Sequence, residues 1–267
     1  MAGFFGLFNY EKEGPGVEKD APQKIGFLRF FELFFKNFWK LAISSIWYWI
    51  LTILVLPSGL AAAGMTNLSR NMSVDTHSFG TSDFFDTIKK NWKQALPAGI
   101  INIAVIAFLC FDIYFFYTFM QKEMMLIGLA ACITMLFIFL VMRYYIWIIL
   151  ITFKLSLKQI YANSFKLVFL GFKRNIIILI SMLAVYGVCY GLGIVGTGIT
   201  QFLFVLILLF VLPGLRFLII QFNVFDNIKK FMIEPYYEDH PDDDIEIRNR
   251  LGVLPEDKKT FSEQDLL

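Results

Sequence analysis

Histidine and cysteine are almost absent, at 2 and 3 residues of 267. His77 and His240 both lie in polar segments, so an imidazole metal centre or acid–base pair has little to draw on. Cys110, Cys132 and Cys189 sit in apolar runs with no CxxC spacing. They read as small buried thiols, not as a disulfide framework or a metal site. There is no Ser-His-Asp arrangement, HExxH, P-loop or GxGxxG. No enzyme activity, cofactor or direct nucleotide binding is therefore expected. Glu238, Asp239 and His240 with Asp242, Asp243 and Asp244 could gather a divalent cation. An acidic tail bearing Pro235, Pro241 and Pro255 reads better as solvated chain. Charge is scarce, at 17% of residues with a net of +2, which offers no basic field for nucleic acid. The first 40 residues are polar and mixed, without the early apolar core of a signal peptide, so the first apolar segment is expected to be retained.

What the chain has in abundance is apolar and aromatic surface. Apolar residues make up 57%, mean hydropathy is +0.62, and there are 31 Phe, 11 Tyr and 5 Trp. Five runs, 41–65, 95–120, 124–150, 175–198 and 201–224, are each about the ~20 residues needed to cross ~30 Å of hydrocarbon. Of the 24 Lys and Arg residues, only Lys122, Arg143 and Arg216 lie outside the polar stretches 1–40, 65–94, 151–174 and 225–267. The short links at 121–123 and 198–201 carry almost no charge, so each closes a helical hairpin. The opposite ends carry Lys89, Lys90, Lys93, Lys154, Lys158, Lys166, Lys173, Arg174, Lys229 and Lys230. Basic flanks stay cytoplasmic, which places the C-terminus there.

The first run conflicts with that rule, because Lys24, Arg29, Lys36 and Lys40 precede it and Arg70 to Lys93 follow it. Either the N-terminus lies outside against the charge bias, or 41–70 is itself a hairpin. The hairpin is preferred, since Pro57-Ser58-Gly59 supplies a break: proline lacks a donor and glycine permits an unusual turn. Its arms would be 41–56 and 60–70, the second short enough to suggest a re-entrant helix buried in protein.

Segments 30–49, 84–103 and 161–180 resemble one another. Each runs from an amphipathic stretch through a Lys/Arg cluster with Asn or Trp into an apolar run. In the first, Phe27, Phe30, Phe31, Phe34, Phe35 and Phe38 recur at helical spacing, opposite Arg29, Glu32 and Lys36. This predicts an interfacial elbow helix. The economical fold is an all-α membrane protein of five to six transmembrane or re-entrant helices. They form helical hairpins, each preceded by an amphipathic elbow. The membrane domain, 25–228, divides into units of about 25–80, 81–153 and 154–228, between an arm at 1–24 and an acidic tail at 229–267. The alternative is that any basic-aromatic flank before a helix looks alike.

Three ionisable groups fall inside the runs, and such groups mark functional candidates. Asp112 is expected near the outer interface. Arg143 and Arg216 are expected in the inner leaflet, within snorkelling reach of phosphates. They read either as interfacial anchors or as partners for a cavity or second subunit. Gly187, Gly191, Gly193, Gly196 and Gly198 suggest close helix packing. Asn67 and Asn71 head glycosylation sequons that matter only in a lumenal loop. The aromatic arm, with Phe4, Phe5, Phe8 and Tyr10 followed by Gly14, Pro15, Gly16, Val17, Lys19 and Pro22, implies a docking surface. That surface is either the protein's own helices or a partner.

These strings resemble the YesL-like DUF624 family of bacterial membrane proteins. The marks are Asn9-Tyr10, Gly14-Pro15-Gly16-Val17, Lys19-Asp20-Ala21-Pro22, Phe30-Phe31-Glu32, Phe38-Trp39-Lys40 and Leu56-Pro57. Thr152-Phe153, Leu157 to Tyr161, Leu212-Pro213-Gly214 and Phe222-Asn223 complete the set, which runs to about residue 252. The resemblance implies a multi-pass protein of the bacterial cell membrane, often encoded beside sugar-uptake ABC importers. The expectation is a non-catalytic accessory subunit that binds the importer's permease chains and aids assembly, stability or regulation. An importer permease carries a Glu-Ala-Ala loop with Gly, and 156–171 departs from it, so the chain is not expected to be the permease. The alternative is a stand-alone transporter of small solutes or lipids.

Overall fold

The computed structural model describes residues 26–74, 76, 78–119, 123–194 and 196–239, so the aromatic arm and most of the acidic tail lie outside it. The described residues form α1 (Phe27–Lys36), α2 (Phe38–Ile53), α3 (Ser58–Ser73), α4 (Thr81–Thr118), α5 (Glu123–Thr152), α6 (Leu157–Leu170), α7 (Phe172–Ile194), α8 (Gly198–Leu206), α9 (Leu212–Ile228) and α10 (Glu234–Asp239). There is no strand among them. Helices α8 to α10 run on through two π-helical turns, Ile207–Val211 and Lys229–Ile233. Four helices are long and apolar enough to cross a membrane: Thr81–Thr118, Met125–Thr152, Phe172–Ile194 and Gly198–Tyr236.

The first apolar run is a hairpin. Helix α2 ends at Ile53, the turn is closed by Val55 N–H to Thr52 O and Ser58 N–H to Val55 O, and α3 packs back on α2. Pro57 stands at the start of α3, where its missing N–H costs nothing. At 16 residues each, the two arms are about 24 Å long by the 1.5 Å helical rise, short of the ~30 Å hydrocarbon core. Val55 holds φ +62° in this turn, a left-handed conformation unfavourable for a β-branched residue.

Helix α3 is the hub, contacting α4, α9, α2 and α5. Its small-residue face, with Ala61, Ala62, Ala63 and Met65, is fully or almost fully buried. At its first turn Gly59 meets Gly99 of α4 backbone to backbone. A Cβ on Gly59 would sit 2.7 Å from Gly99 Cα and would also strike the Ala95 carbonyl. Glycine at both positions lets the axes approach this closely.

The repeated segments fold in two ways. In the first and third the elbow is a separate helix, with breaks at Asn37 and Gly171. In the second it is not: the amphipathic 81–94 stretch runs on through Pro97 as one 38-residue helix. The third elbow is pinned by a buried network. Tyr145 Oη donates to Asn175 Oδ1 (2.8 Å), Asn227 Nδ2 donates to Tyr145 Oη (3.0 Å), and Asn175 Nδ2 donates to Val168 O (2.9 Å). Gly171 leaves room for the Tyr145 hydroxyl.

The basic ends of the hairpins lie together. Lys40 Nζ donates to Ser78 O, Arg70 donates to Thr152 Oγ1 and Asn67 Oδ1, Gln94 donates to Leu155 O, and Arg174 pairs with Asp226 at 2.8 Å. Towards the other end the core thins. After Asn102 only Leu109 is buried on α4, nothing described is buried on α5 before Phe139, and nothing on α8. Cys110 lies exposed in this region and only Cys189 is buried, so the cysteines are not uniformly core thiols. Gly187, Gly191 and Gly198 have no neighbouring atoms where a Cβ would stand, Gly193 faces Phe204 at ordinary contact distance and Gly196 is crowded only by Leu192 and Thr200 beside it in the chain, so the series does not mark a close helix crossing.

Candidate functional site: a cavity with two arginines

The short α2–α3 hairpin leaves a gap beside its turn, where α2, α3, α4, α5 and α9 surround a cavity of about 280 Å³. Helix α5 brings Arg143, Tyr144 and Trp147 to it; α9 brings Arg216, Phe217 and Gln221; α4 brings Gly99 and Asn102; the hairpin brings Tyr48, Thr52, Val55 and Gly59. Arg143 lies nine residues before the end of α5, or ~13 Å along the helix from its basic end.

Several polar atoms here find no partner among the described residues. Arg143 Nε, Asn102 Oδ1, Gln221 Oε1 and Thr52 Oγ1 are buried without a hydrogen-bond partner. Asn102 and Gln221 are 3% and 1% exposed. Asn102 Nδ2 donates to Ala98 O at 2.9 Å, which fixes its amide so that Oδ1 is the free acceptor. Neither guanidinium has an ion-pair partner among the described residues. The charge of Arg216 acts on Arg143, and among the described residues no carboxylate does. Arg216 lies 5.8 Å from the Phe217 ring centroid. Just outside, Tyr161 donates to Ala98 O at 3.2 Å. Burial pushes its phenol up to about 12, while Arg143 draws it down, so the hydroxyl keeps its proton.

Helix α2 braces the far wall. Pro213 cannot donate, and the π turn before it disturbs the ladder. Ser45 Oγ accepts from Gly214 N–H at 3.0 Å, and Trp49 Nε1 donates to Leu208 O at 3.1 Å. The irregular segment is thereby satisfied just where α9 presents Arg216.

Of the polar residues singled out in the sequence, Arg143 and Arg216 converge on this cavity, and Gly59 lines it with Pro57 beside it. Asp112 lies on the thin end of α4, away from the cavity. The sequons are not free loops: Asn67 Nδ2 donates to Thr87 Oγ1, and both Asn67 and Asn71 accept from Arg70. The arm residues Phe4 to Pro22, and His240 with the acidic residues after it, lie outside the described residues. Asn102, Gln221 and Thr52 went unnoticed in the sequence. Their signal was a lone amide or hydroxyl inside an apolar run, which a search for ionisable groups passes over.

The described residues form an all-α structure with four long apolar helices able to span a membrane, gathered around a short central hairpin, which points to a membrane protein. Residues 41–113 match the family model described as "Protein of unknown function, DUF624", in agreement with a YesL-like member of that family. The matched segment contains the short hairpin and the Gly59–Gly99 crossing. Neither the curated proteins nor the solved structures contain a match.

Proposed function

We propose that this chain is a non-catalytic protein of the bacterial cell membrane that takes a small solute or a lipid head group into the cavity beside its short hairpin. In this reading α2–α3 is re-entrant, α1 and α6 lie along the cytoplasmic leaflet, and both termini are cytoplasmic. One observation carries it: arginines from two different helices meet in a cavity where Arg143 Nε, Asn102 Oδ1, Gln221 Oε1 and Thr52 Oγ1 are buried without a partner among the described residues. A buried polar group left unsatisfied costs roughly 1–3 kcal/mol, and a membrane-buried charge costs more. A ligand that satisfies several of them offsets that cost. Proteoliposomes holding the purified chain alone should show solute uptake or lipid exchange that Arg143→Gln abolishes. No transport of any probe, together with no retained lipid, would count against it.

A second proposal follows the family resemblance: an accessory subunit of a carbohydrate ABC importer. The apolar surface of the thin end supports it, with Phe108, Phe111, Tyr117, Leu126 and Ile127 all exposed. Such a surface faces lipid or another membrane chain. Gentle purification from the native membrane should then recover permease chains in stoichiometric amount.

A further inference from the structure

We infer that the cavity between α2, α3, α4, α5 and α9 is a site for an organic anion that also carries hydroxyl groups, of the glycerophosphate kind. This rests on the cavity being a ligand site and names the ligand's chemistry. Arg143 and Arg216 supply positive charge from two helices, and among the described residues no carboxylate acts on Arg143 and neither has an ion pair. Two like charges in a low-dielectric site repel each other and are individually costly to bury. An anion between them reverses both effects, and guanidinium forks match paired oxygens of phosphate or carboxylate.

Charge is only half of the lining. Asn102 Oδ1 and Gln221 Oε1 are acceptors, both in side chains at least nine-tenths buried. Hydrogen phosphate has a single P–OH for two acceptors, and its remaining oxygens would be repelled by their lone pairs. Hydroxyl groups on the same ligand would donate to them. Tyr48, Tyr144 and Phe217 complete the wall with ring surface suited to the C–H faces of a polyol. The volume, about 280 Å³, is at the lower edge of the ~300 Å³ usual for small-molecule sites, which suits a head group or a compact solute. The same chemistry occurs free in solution or on the head group of phosphatidylglycerol.

The test uses the full chain in detergent. Glycerol 3-phosphate, inorganic phosphate and glycerol are titrated by calorimetry. In parallel, native mass spectrometry follows retention of phosphatidylglycerol against phosphatidylcholine. The inference expects glycerol 3-phosphate or phosphatidylglycerol to bind, and glycerol and phosphatidylcholine not to. Arg143→Gln and Arg216→Gln should each weaken binding by about tenfold or more (~1.4 kcal/mol). Arg174→Gln, whose guanidinium pairs with Asp226 outside the cavity, should leave it unchanged. Arg143→Lys, which keeps the charge, should retain more binding than Arg143→Gln. Gln221→Leu should lose preference for the hydroxylated anion. Binding of glycerol 3-phosphate assigns a solute; retention of phosphatidylglycerol alone assigns a lipid. Inorganic phosphate binding as well as glycerol 3-phosphate, binding unchanged in both glutamine variants, or no anion bound by the wild type would overturn it. Uptake of a neutral sugar without anion binding would leave the proposed function standing and remove this inference.

Discussion

At the scale of single residues, the α3–α4 contact depends on side chains that do not exist. Gly59 and Gly99 let α3 and α4 touch backbone to backbone, and a methyl group at either meets main-chain atoms that cannot swing away. Gly59→Ala or Gly99→Ala should destabilise the protein by about 1–3 kcal/mol, as overpacking does, read as a lower melting temperature in detergent. Gly187→Ala, with nothing near its Cβ position, should be neutral or up to ~1 kcal/mol stabilising through helix propensity. Val55 is the opposite case, a branched residue at φ +62° on the cavity wall. Val55→Gly should gain about 1 kcal/mol by releasing left-handed strain. Strain of this kind persists where surrounding structure enforces it, so a loss of ligand binding in the stabilised variant would tie the turn to the site. The sequence drew attention to Gly59 as a breaker. Its role as a contact point depends on Gly99, 40 positions later, and no local pattern reveals that pairing.

Elements show where local pattern suffices and where it fails. The Pro57 break, the conflicting basic flanks and the short second arm together led to the α2–α3 hairpin, because charge and turn chemistry act locally. The repeated elbows were legible as similar strings yet folded differently. Unit one breaks at Asn37 and unit three at Gly171, whereas unit two carries its helix on through Asn91 and Pro97. The third break depends on tertiary support from α5 and α9, which the string alone does not show. Tyr145→Phe should therefore destabilise by roughly 1–3 kcal/mol, since it strands Asn175 and Asn227 in a buried site. Hydrogen exchange at the α6–α7 junction should rise in that variant. Ser45→Ala should cost about the same, by orphaning Gly214 N–H beside Pro213, and loosen the wall that carries Arg216. The cavity itself was half legible: two arginines announced themselves by charge, whereas Asn102 and Gln221 matter through the partners they lack.

For the molecule as a whole, the prediction concerns sidedness. The basic ends of the hairpins are tied together by Lys40, Arg70, Gln94 and Arg174. In a background lacking Cys110, Cys132 and Cys189, Ser73→Cys and Lys158→Cys should react with a membrane-impermeant thiol reagent only in inverted vesicles. Phe119→Cys should react only in intact cells. Labelling of positions 73 and 158 from opposite faces would refute the arrangement. The short hairpin also gives the molecule unequal ends. Six helical rods fill the cross-section at the level of α2 and α3, and four continue beyond the Leu54–Pro57 turn. With rods ~10 Å wide, the two halves differ by about 200 Å² in area. In the re-entrant arrangement proposed above, the body is a wedge, and the leaflet around its narrow end must supply extra lipid or curve to close the difference.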